Sequence, residues 1–203
     1  TAYFGVTKIS KPNPGDTVIV TGAAGGVGSL AGQIFKIAGC NVYGIAGGKE
    51  KCEMLINDFG FDGAIDYKSE DLNESLGKLC PNGADIVYDN VGGRILNDCL
   101  LHLALNARIA ICGIISRHKT DNMNFGPENY SNLIFKRATM QGFLMLDYVS
   151  ETVSARNKMK KWIEDGKLIC KEDLREGFEN APDTLKGLFD GKNKGKQLLK
   201  IAD

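Results

Sequence analysis

The residues best placed to do chemistry here are ones with almost no side chain. Ala23, Gly25 and Gly28 stand at the spacing of G-x-G-x-x-G, with alanine in the first place. That pattern suits a phosphate ligand. A missing side chain at Gly25 lets backbone approach a pyrophosphate, and one at Gly28 lets a helix pack closely on the strand before it. The helix N-terminus then turns free N–H groups and the positive end of its dipole toward the anion. Gly26 and Val27 lie inside the same turn. Glycine turns are common, so the pattern carries weight only between a strand and a helix. Here a β-branched run, Thr17-Val18-Ile19-Val20-Thr21, leads in, and an apolar-periodic segment over 27–38 follows. A second strand over 41–46 completes a β-α-β unit of about 30 residues.

The end of that second strand bears on which dinucleotide is bound. In NAD-binding units a carboxylate there holds the ribose 2′-hydroxyl. This chain instead reads Ala46-Gly47-Gly48-Lys49-Glu50-Lys51. A carboxylate would repel a 2′-phosphate, and a lysine attracts it. The expectation is therefore NADP(H). Glu50 counts against it, and the plainer alternative is that Lys49 and Lys51 are ordinary solvated residues at a helix start. Metal chemistry has no comparable signal. Cys40, Cys52, Cys80, Cys99, Cys112 and Cys170 form no C-x-x-C, and His102 and His118 do not cluster with them. No zinc site is expected, and free thiols in a reducing cytosol account for the cysteines.

The elements that must hold these residues alternate strand and helix. Beyond the first unit, helices are predicted over 49–59, 71–79 and 94–103, and strands over 64–67, 85–89 and 107–112. A second glycine turn, Asn90-Val91-Gly92-Gly93, follows the fourth strand. Further on, helices are predicted over 129–136, 149–165 and 180–189, and strands over 139–145, 168–170 and 196–201. The polar, aperiodic stretch 117–127 reads as a mobile loop. Such alternation implies an α/β fold, a doubly wound parallel sheet with right-handed crossovers. Its ligands bind beyond the carboxyl ends of the strands. Residues 23–28, 46–48, 90–93 and 113–116 then share one rim.

The gross numbers set bounds. The 203 residues are 43% hydrophobic, enough for one large domain with a real core. Lys+Arg and Asp+Glu are both 25, so no basic field points to nucleic acid. No apolar run reaches the roughly 18 residues of a transmembrane helix. The chain opens on the apolar Thr1-Ala2-Tyr3-Phe4-Gly5-Val6 with no initiator methionine. That is an unusual solvated terminus, and we expect a piece of a longer protein, with a preceding domain left out.

The ordered motifs resemble a known family. They are Thr1-Ala2-Tyr3-Phe4-Gly5, Ala23-Ala24-Gly25-Gly26-Val27-Gly28-Ser29, Gly44-Ile45-Ala46-Gly47-Gly48-Lys49-Glu50-Lys51, Asp66-Tyr67-Lys68 and Asp89-Asn90-Val91-Gly92-Gly93, then residues 108–116, Met140-Gln141-Gly142-Phe143 and Gly191-Lys192-Asn193-Lys194-Gly195-Lys196. Over essentially its whole length the chain resembles the zinc-free branch of the medium-chain dehydrogenase/reductase superfamily, the NADPH-dependent alkenal/enone double-bond reductases. That branch includes prostaglandin reductases, plant double-bond reductases and bacterial curcumin reductase-like enzymes. The resemblance implies a Rossmann-type NADP(H)-binding domain over 1–203. Residues 1–12 would lead in from a GroES-like N-terminal catalytic domain absent here, and about 180–203 would return toward the junction.

Site roles follow from the resemblance alone. Gly25, Gly26, Val27 and Gly28 would hold the pyrophosphate, Lys51 would pair with the 2′-phosphate, and Tyr67 would donate to it. Asn90 would contact the cofactor from the fourth strand's end. Cys112, Gly113, Ile114, Ile115 and Ser116 would run beside the ribose and nicotinamide. The backbone of Phe143, Leu144 and Met145 would bond the carboxamide, and Asn193 would reach the nicotinamide end. Tyr130 would touch a phosphate. Each has a plainer reading: a strand-end aromatic for Tyr67, a turn-former for Asn90 and Asn193, core strand for 143–145, a packed helix residue for Tyr130. The implied reaction is hydride transfer to an activated C=C of an enone or enal, with charge moving to the carbonyl oxygen. Tyr148 is the side-chain candidate to donate there, with a surface tyrosine as its alternative. Quinone reduction, or a non-catalytic NADPH-binding module, are the other readings. The expected partners are a small-molecule substrate and a second copy of the chain, in the cytoplasm, with no nucleic acid or membrane.

Overall fold

Strand β1 (Thr17–Thr21) has no exposed face: Val18, Ile19 and Val20 are each 0% exposed. In a computed structural model that describes residues 1–116 and 126–202, β1 lies inside a six-stranded parallel sheet. The others are β2 (Asn41–Ala46), β3 (Gly63–Asp66), β4 (Ala84–Asp89), β5 (Leu103–Ile111) and β6 (Thr139–Gly142). The spatial order is β3-β2-β1-β4-β5-β6. Alternation sorts each strand between two cores. Val18, Val20, Ile86 and Tyr88 face one, while Ile19, Val87 and Ile109 face the other. A strand covered on both faces must be apolar at nearly every position, which is why β1 reads as a continuous β-branched run.

Helices cover both faces. On the first lie α1 (Ala2–Phe4), continued as a π-helical stretch Gly5–Ser10, then α2 (Gly26–Ile37) and α3 (Lys49–Asn57). Met159 and Trp162 of α7 (Thr152–Glu164) pack there too. On the second lie α4 (Leu72–Leu79), α5 (Gly93–Cys99) and Leu133 of α6 (Asn132–Lys136). Asp71 caps α4, its carboxylate accepting from the Glu74 N–H at 2.8 Å. A separate two-stranded parallel sheet pairs β7 (Glu172–Glu176) with β8 (Lys196–Lys200), and α8 (Ala181–Phe189) connects them. Its register sets Glu172 beside Lys196 and Glu176 beside Lys200.

The structure departs from the sequence reading in three regions. The strand expected at 168–170 is absent. Leu168 is buried in the core, and the Gln33 carboxamide serves the neighbouring backbone instead, accepting from Ile169 N–H at 2.7 Å and donating to Ile169 O at 2.9 Å. The actual strand is β7, whose charged residues hid it. β6 ends at Gly142 rather than 145, because its partner β5 ends opposite it at Ile111. Cys112 and Gly113 then donate to Asp89 O, at 2.8 and 3.2 Å. Leu144 and Met145 consequently leave the sheet, and a 3-10 segment, Met145–Glu151, begins. The helix expected over 94–103 stops at Cys99, and β5 starts at Leu103, four residues early, with Asn106 in the left-handed region at φ 61°. Of the loop expected at 117–127, residues 117–125 lie outside the described residues, as does His118.

Candidate functional site

The strand order reverses between β1 and β4, since the chain runs outward through β2 and β3 before returning to the other side of β1. Crevices form at such points. Hydrogen bonds close the floor of this one. The Thr21 hydroxyl donates to Asp89 Oδ1 at 2.6 Å and accepts from the Asn90 N–H at 2.9 Å. Asn90 Nδ2 donates to Thr21 O at 2.7 Å. Asp89 also accepts from the N–H groups of Val91, at 3.2 Å, and Gly92, at 2.9 Å. Burial raises the Asp89 carboxyl above the usual carboxylate range, against the pull of these donors. Asp89 opens the motif Asp89-Asn90-Val91-Gly92-Gly93 and Thr21 closes the first strand, but nothing local to either shows that they bond one another.

Above the floor lies a cavity of about 450 Å³, the size of a small-molecule cleft. Gly22, Gly25, Gly26, Val27 and Gly28 line one end. Gly25 is the N-cap of α2 and offers no side-chain cap, so the first N–H groups of a 12-residue helix face the opening. Gly28 is pressed on the turn itself: a Cβ there would lie 2.4 Å from Gly22 O and 2.8 Å from Ala23 Cα.

At the other end, Ala46, Gly47, Lys51 and Tyr67 line the wall. A Cβ on Gly47 would come within 2.9 Å of the Tyr67 ring and of Lys68 Cε. A side chain there would have to displace the Tyr67 ring and the end of Lys68, and Gly47 itself offers no carboxylate where an NAD-type site carries one. The nearby acids are committed elsewhere. Glu50 pairs with the Lys194 ammonium. Asp66 accepts from Gly48 N–H at 2.7 Å, Lys68 N–H at 3.1 Å and Ser69 Oγ at 2.8 Å. Lys51 is half-buried, and its ammonium donates to Gly191 O at 2.6 Å. Burial, then the charges of Lys68 and Lys194, lower its pKa, with Asp173 opposing them. A bound dianion would relieve that crowding of cations.

Of the other residues expected here, Asn90, Ile115 and Ser116 line the cavity, and the Ser116 hydroxyl donates to Val91 O at 2.6 Å. Asn193 lines it too, from the tail, beside the glycine turn: its Nδ2 donates to Gly195 O at 2.9 Å, and Gly195 N–H donates to Ala24 O at 2.9 Å. Cys112, Gly113, Ile114, Tyr130, Phe143, Leu144, Met145 and Tyr148 are not among the lining residues. Cys112 and Phe143 pack against the core, Tyr130 and Leu144 are exposed, and Tyr148 stacks on Phe4 with ring centroids 4.9 Å apart. Ala24, Val91, Ile45, Ile95, Leu188, Phe189 and Gly191 complete the lining. Sequence reasoning missed the last three because the tail meets the cleft only in three dimensions. Among the described residues no group of three or more His, Cys, Asp or Glu could hold a metal ion.

A 3-2-1-4-5-6 parallel sheet with a glycine turn and free helix N-terminus at its switch point defines a dinucleotide-binding domain of the Rossmann type. The chain belongs to the zinc-binding dehydrogenase family, whose sequence profile matches residues 26–162. It is similar to a putative NADP-dependent oxidoreductase of Bacillus subtilis, 46% identical over all of this chain and 61% of that protein. It is likewise similar to an NADP(+)-dependent 2-alkenal reductase of Nicotiana tabacum, 42% identical over all of this chain and 59% of that one. Among solved structures, CurA of Vibrio vulnificus in complex with NADPH superposes with a TM-score of 0.94 at 42% identity, over all of this chain and 61% of CurA. The chain thus spans about 60% of the length of the relatives it matches.

Proposed function

We propose that this chain is the NADP(H)-binding part of an oxidoreductase that reduces the activated C=C of α,β-unsaturated ketones and aldehydes. The observation that carries the cofactor assignment is Lys51, a half-buried cation on a cleft wall that Gly47 leaves without a carboxylate. The pyrophosphate would lie on the N–H groups of Gly26, Val27 and Gly28, and the 2′-phosphate between Lys51 and Tyr67. Bound there, NADPH would supply the hydride for the substrate's β-carbon. Asn90, Ile115 and Ser116 would flank its nicotinamide half. The double-bond chemistry is drawn from the tobacco relative's name and the NADPH in CurA.

Binding tests the cofactor assignment directly. NADPH is expected to bind more tightly than NADH, and Lys51→Met to weaken NADPH by about 10–100-fold, the value of one charge-assisted hydrogen bond. NADH affinity should hardly change. Calorimetry on the full-length protein decides it, and equal binding of the two nucleotides by the wild type would refute the reading. An enone, enal and quinone panel separates double-bond reduction from quinone reduction.

Tyr148 is our proposed donor to the substrate's carbonyl oxygen. Tyr148→Phe keeps the ring on Phe4 and removes only the hydroxyl. Turnover of the full-length enzyme should then fall about 100-fold, and an unchanged kcat removes Tyr148 from the mechanism. No helix among the described residues is long and apolar enough to cross a membrane. A cytoplasmic homodimer completes the proposal, and sedimentation of the full-length protein checks the assembly.

A further inference from the structure

The tail loop after α8 is tied to both ends of the cleft. At the adenosine end, Gly191 O accepts from Lys51, and Lys194 pairs with Glu50, so the first turn of α3 holds the loop through two adjacent residues. At the glycine turn, Gly195 N–H donates to Ala24 O, and Gly25 and Gly195 form an isolated parallel bridge. Between these anchors Asn193 is 7% exposed and lines the cavity with Gly191. The loop's own hydrogen bonds are local: Gly191 N–H to Leu188 O at 3.1 Å and Lys192 N–H to Gly187 O at 2.8 Å. From Lys194 onward the loop is also held by Glu50, by Asp173, which accepts from Lys194 N–H at 3.1 Å, and by Lys171 O, which accepts from Lys196 N–H at 2.8 Å. Lys51 is the contact that reaches its start at Gly191.

An ammonium has three N–H donors, and the Gly191 carbonyl uses one. We propose that Lys51 is a latch shared between ligand and tail: a phosphomonoester at the adenosine end takes a second N–H while Gly191 O keeps the first, so that phosphate occupancy fastens residues 191–195 over the cleft. This rests on the NADP(H) reading of the cleft and adds a consequence to it. The 2′-phosphate is sensed twice, once by direct charge contact and once through ordering of the segment that carries Asn193 and braces the glycine turn. Crowding of Lys51 by Lys68 and Lys194 favours the second contact, because an anion relieves their repulsion while leaving the ammonium charged. A neutral 2′-hydroxyl offers no such relief. Lys51 is thus a positioning residue for the tail as well as a binding residue.

Amide hydrogen exchange of the full-length protein tests this, with adenosine 2′,5′-bisphosphate as the probe and adenosine 5′-monophosphate as its control. Neither carries a nicotinamide, so any effect belongs to the adenosine end. Saturating bisphosphate should slow exchange in peptides covering 190–196 by about fivefold, because a phosphate-held Lys51 keeps its existing bond to Gly191 O for more of the time. The monophosphate at saturation should leave them unchanged. In Lys51→Met the same peptides should exchange faster without ligand, and bisphosphate should no longer slow them. Exchange in the wild type that is unchanged or faster with bound bisphosphate overturns the latch and leaves the cofactor reading standing. Failure of the bisphosphate to bind at all, read by calorimetry, sinks the cofactor reading and the latch together. Unchanged ligand-free exchange in Lys51→Met overturns the tether to Gly191.

Discussion

Gly28→Ala is expected to reduce NADPH affinity by about 100-fold or more, a loss of roughly 3 kcal/mol. The new methyl would stand 2.4 Å from Gly22 O, 2.8 Å from Ala23 Cα and 3.0 Å from Gly22 C. All three are backbone atoms of the turn that α2 sits on, so no rotamer change relieves the contact. Either α2 lifts off or the turn shifts, and both displace the N–H groups of Gly26 and Val27 from the cleft. Overpacking of this kind also costs about 1–3 kcal/mol of stability, which thermal unfolding would register as a lower Tm. Gly26→Ala is the internal comparison. Its closest contact, at 2.9 Å, is the flexible Cδ of Lys196, though the Lys196 backbone Cα is also near, at 3.2 Å. A smaller loss is expected there. Gly28→Ala binding NADPH within about threefold of the wild type would show that α2's close seat on the turn is not what prepares the phosphate site.

That seat was legible in the sequence, because a β-branched run, a glycine cluster and a 3.6-residue apolar period state the same structure locally. The same holds for the end of β2, Ala46-Gly47-Gly48, where the lack of an acid could be read directly, although Glu50 in the first turn of α3 shows its pairing with Lys194 only in the fold. What the sequence hid involves partners far along the chain. Gln33 serves a backbone 136 residues away, so nothing local at 168–170 shows that this apolar run is not a strand. β7 has charges where a core strand has aliphatics, because its sheet is small and its faces largely open. Leu188, Phe189 and Gly191 reach the cleft only because the tail folds back onto the glycine turn. The phosphate-binding half of the site is thus written in short-range motifs, while the wall opposite depends on long-range closure.

The floor of the crevice is the sharpest case of that long-range dependence, and Asp89→Leu should be among the most damaging single substitutions in the chain. Asp89 is 0% exposed and is shared by three donors, the Thr21 hydroxyl and the N–H groups of Val91 and Gly92. Leucine fills the volume and strands all three, at a cost of about 3 kcal/mol or more, since each orphaned buried donor loses its solvation without recompense. The loss should reach the site as well, because Asn90 is held by the same Thr21. Asp89→Asn separates charge from connectivity. Its carbonyl oxygen can still accept from the turn, so stability at neutral pH should fall far less than with leucine. The pH dependence gives a second readout. Burial raises the folded-state pKa of Asp89 above its unfolded value, so the folded state holds this proton the more tightly. The stability it contributes is complete below the unfolded carboxyl pKa, about 3.9, and is lost as pH rises through the folded value. Asparagine cannot titrate. Denaturant unfolding of Asp89→Asn between about pH 4 and 7 should therefore lack that decline relative to the wild type. Parallel stability profiles for the two proteins would mean that the carboxylate is already ionised in the fold throughout this range, with the three donors outweighing its burial.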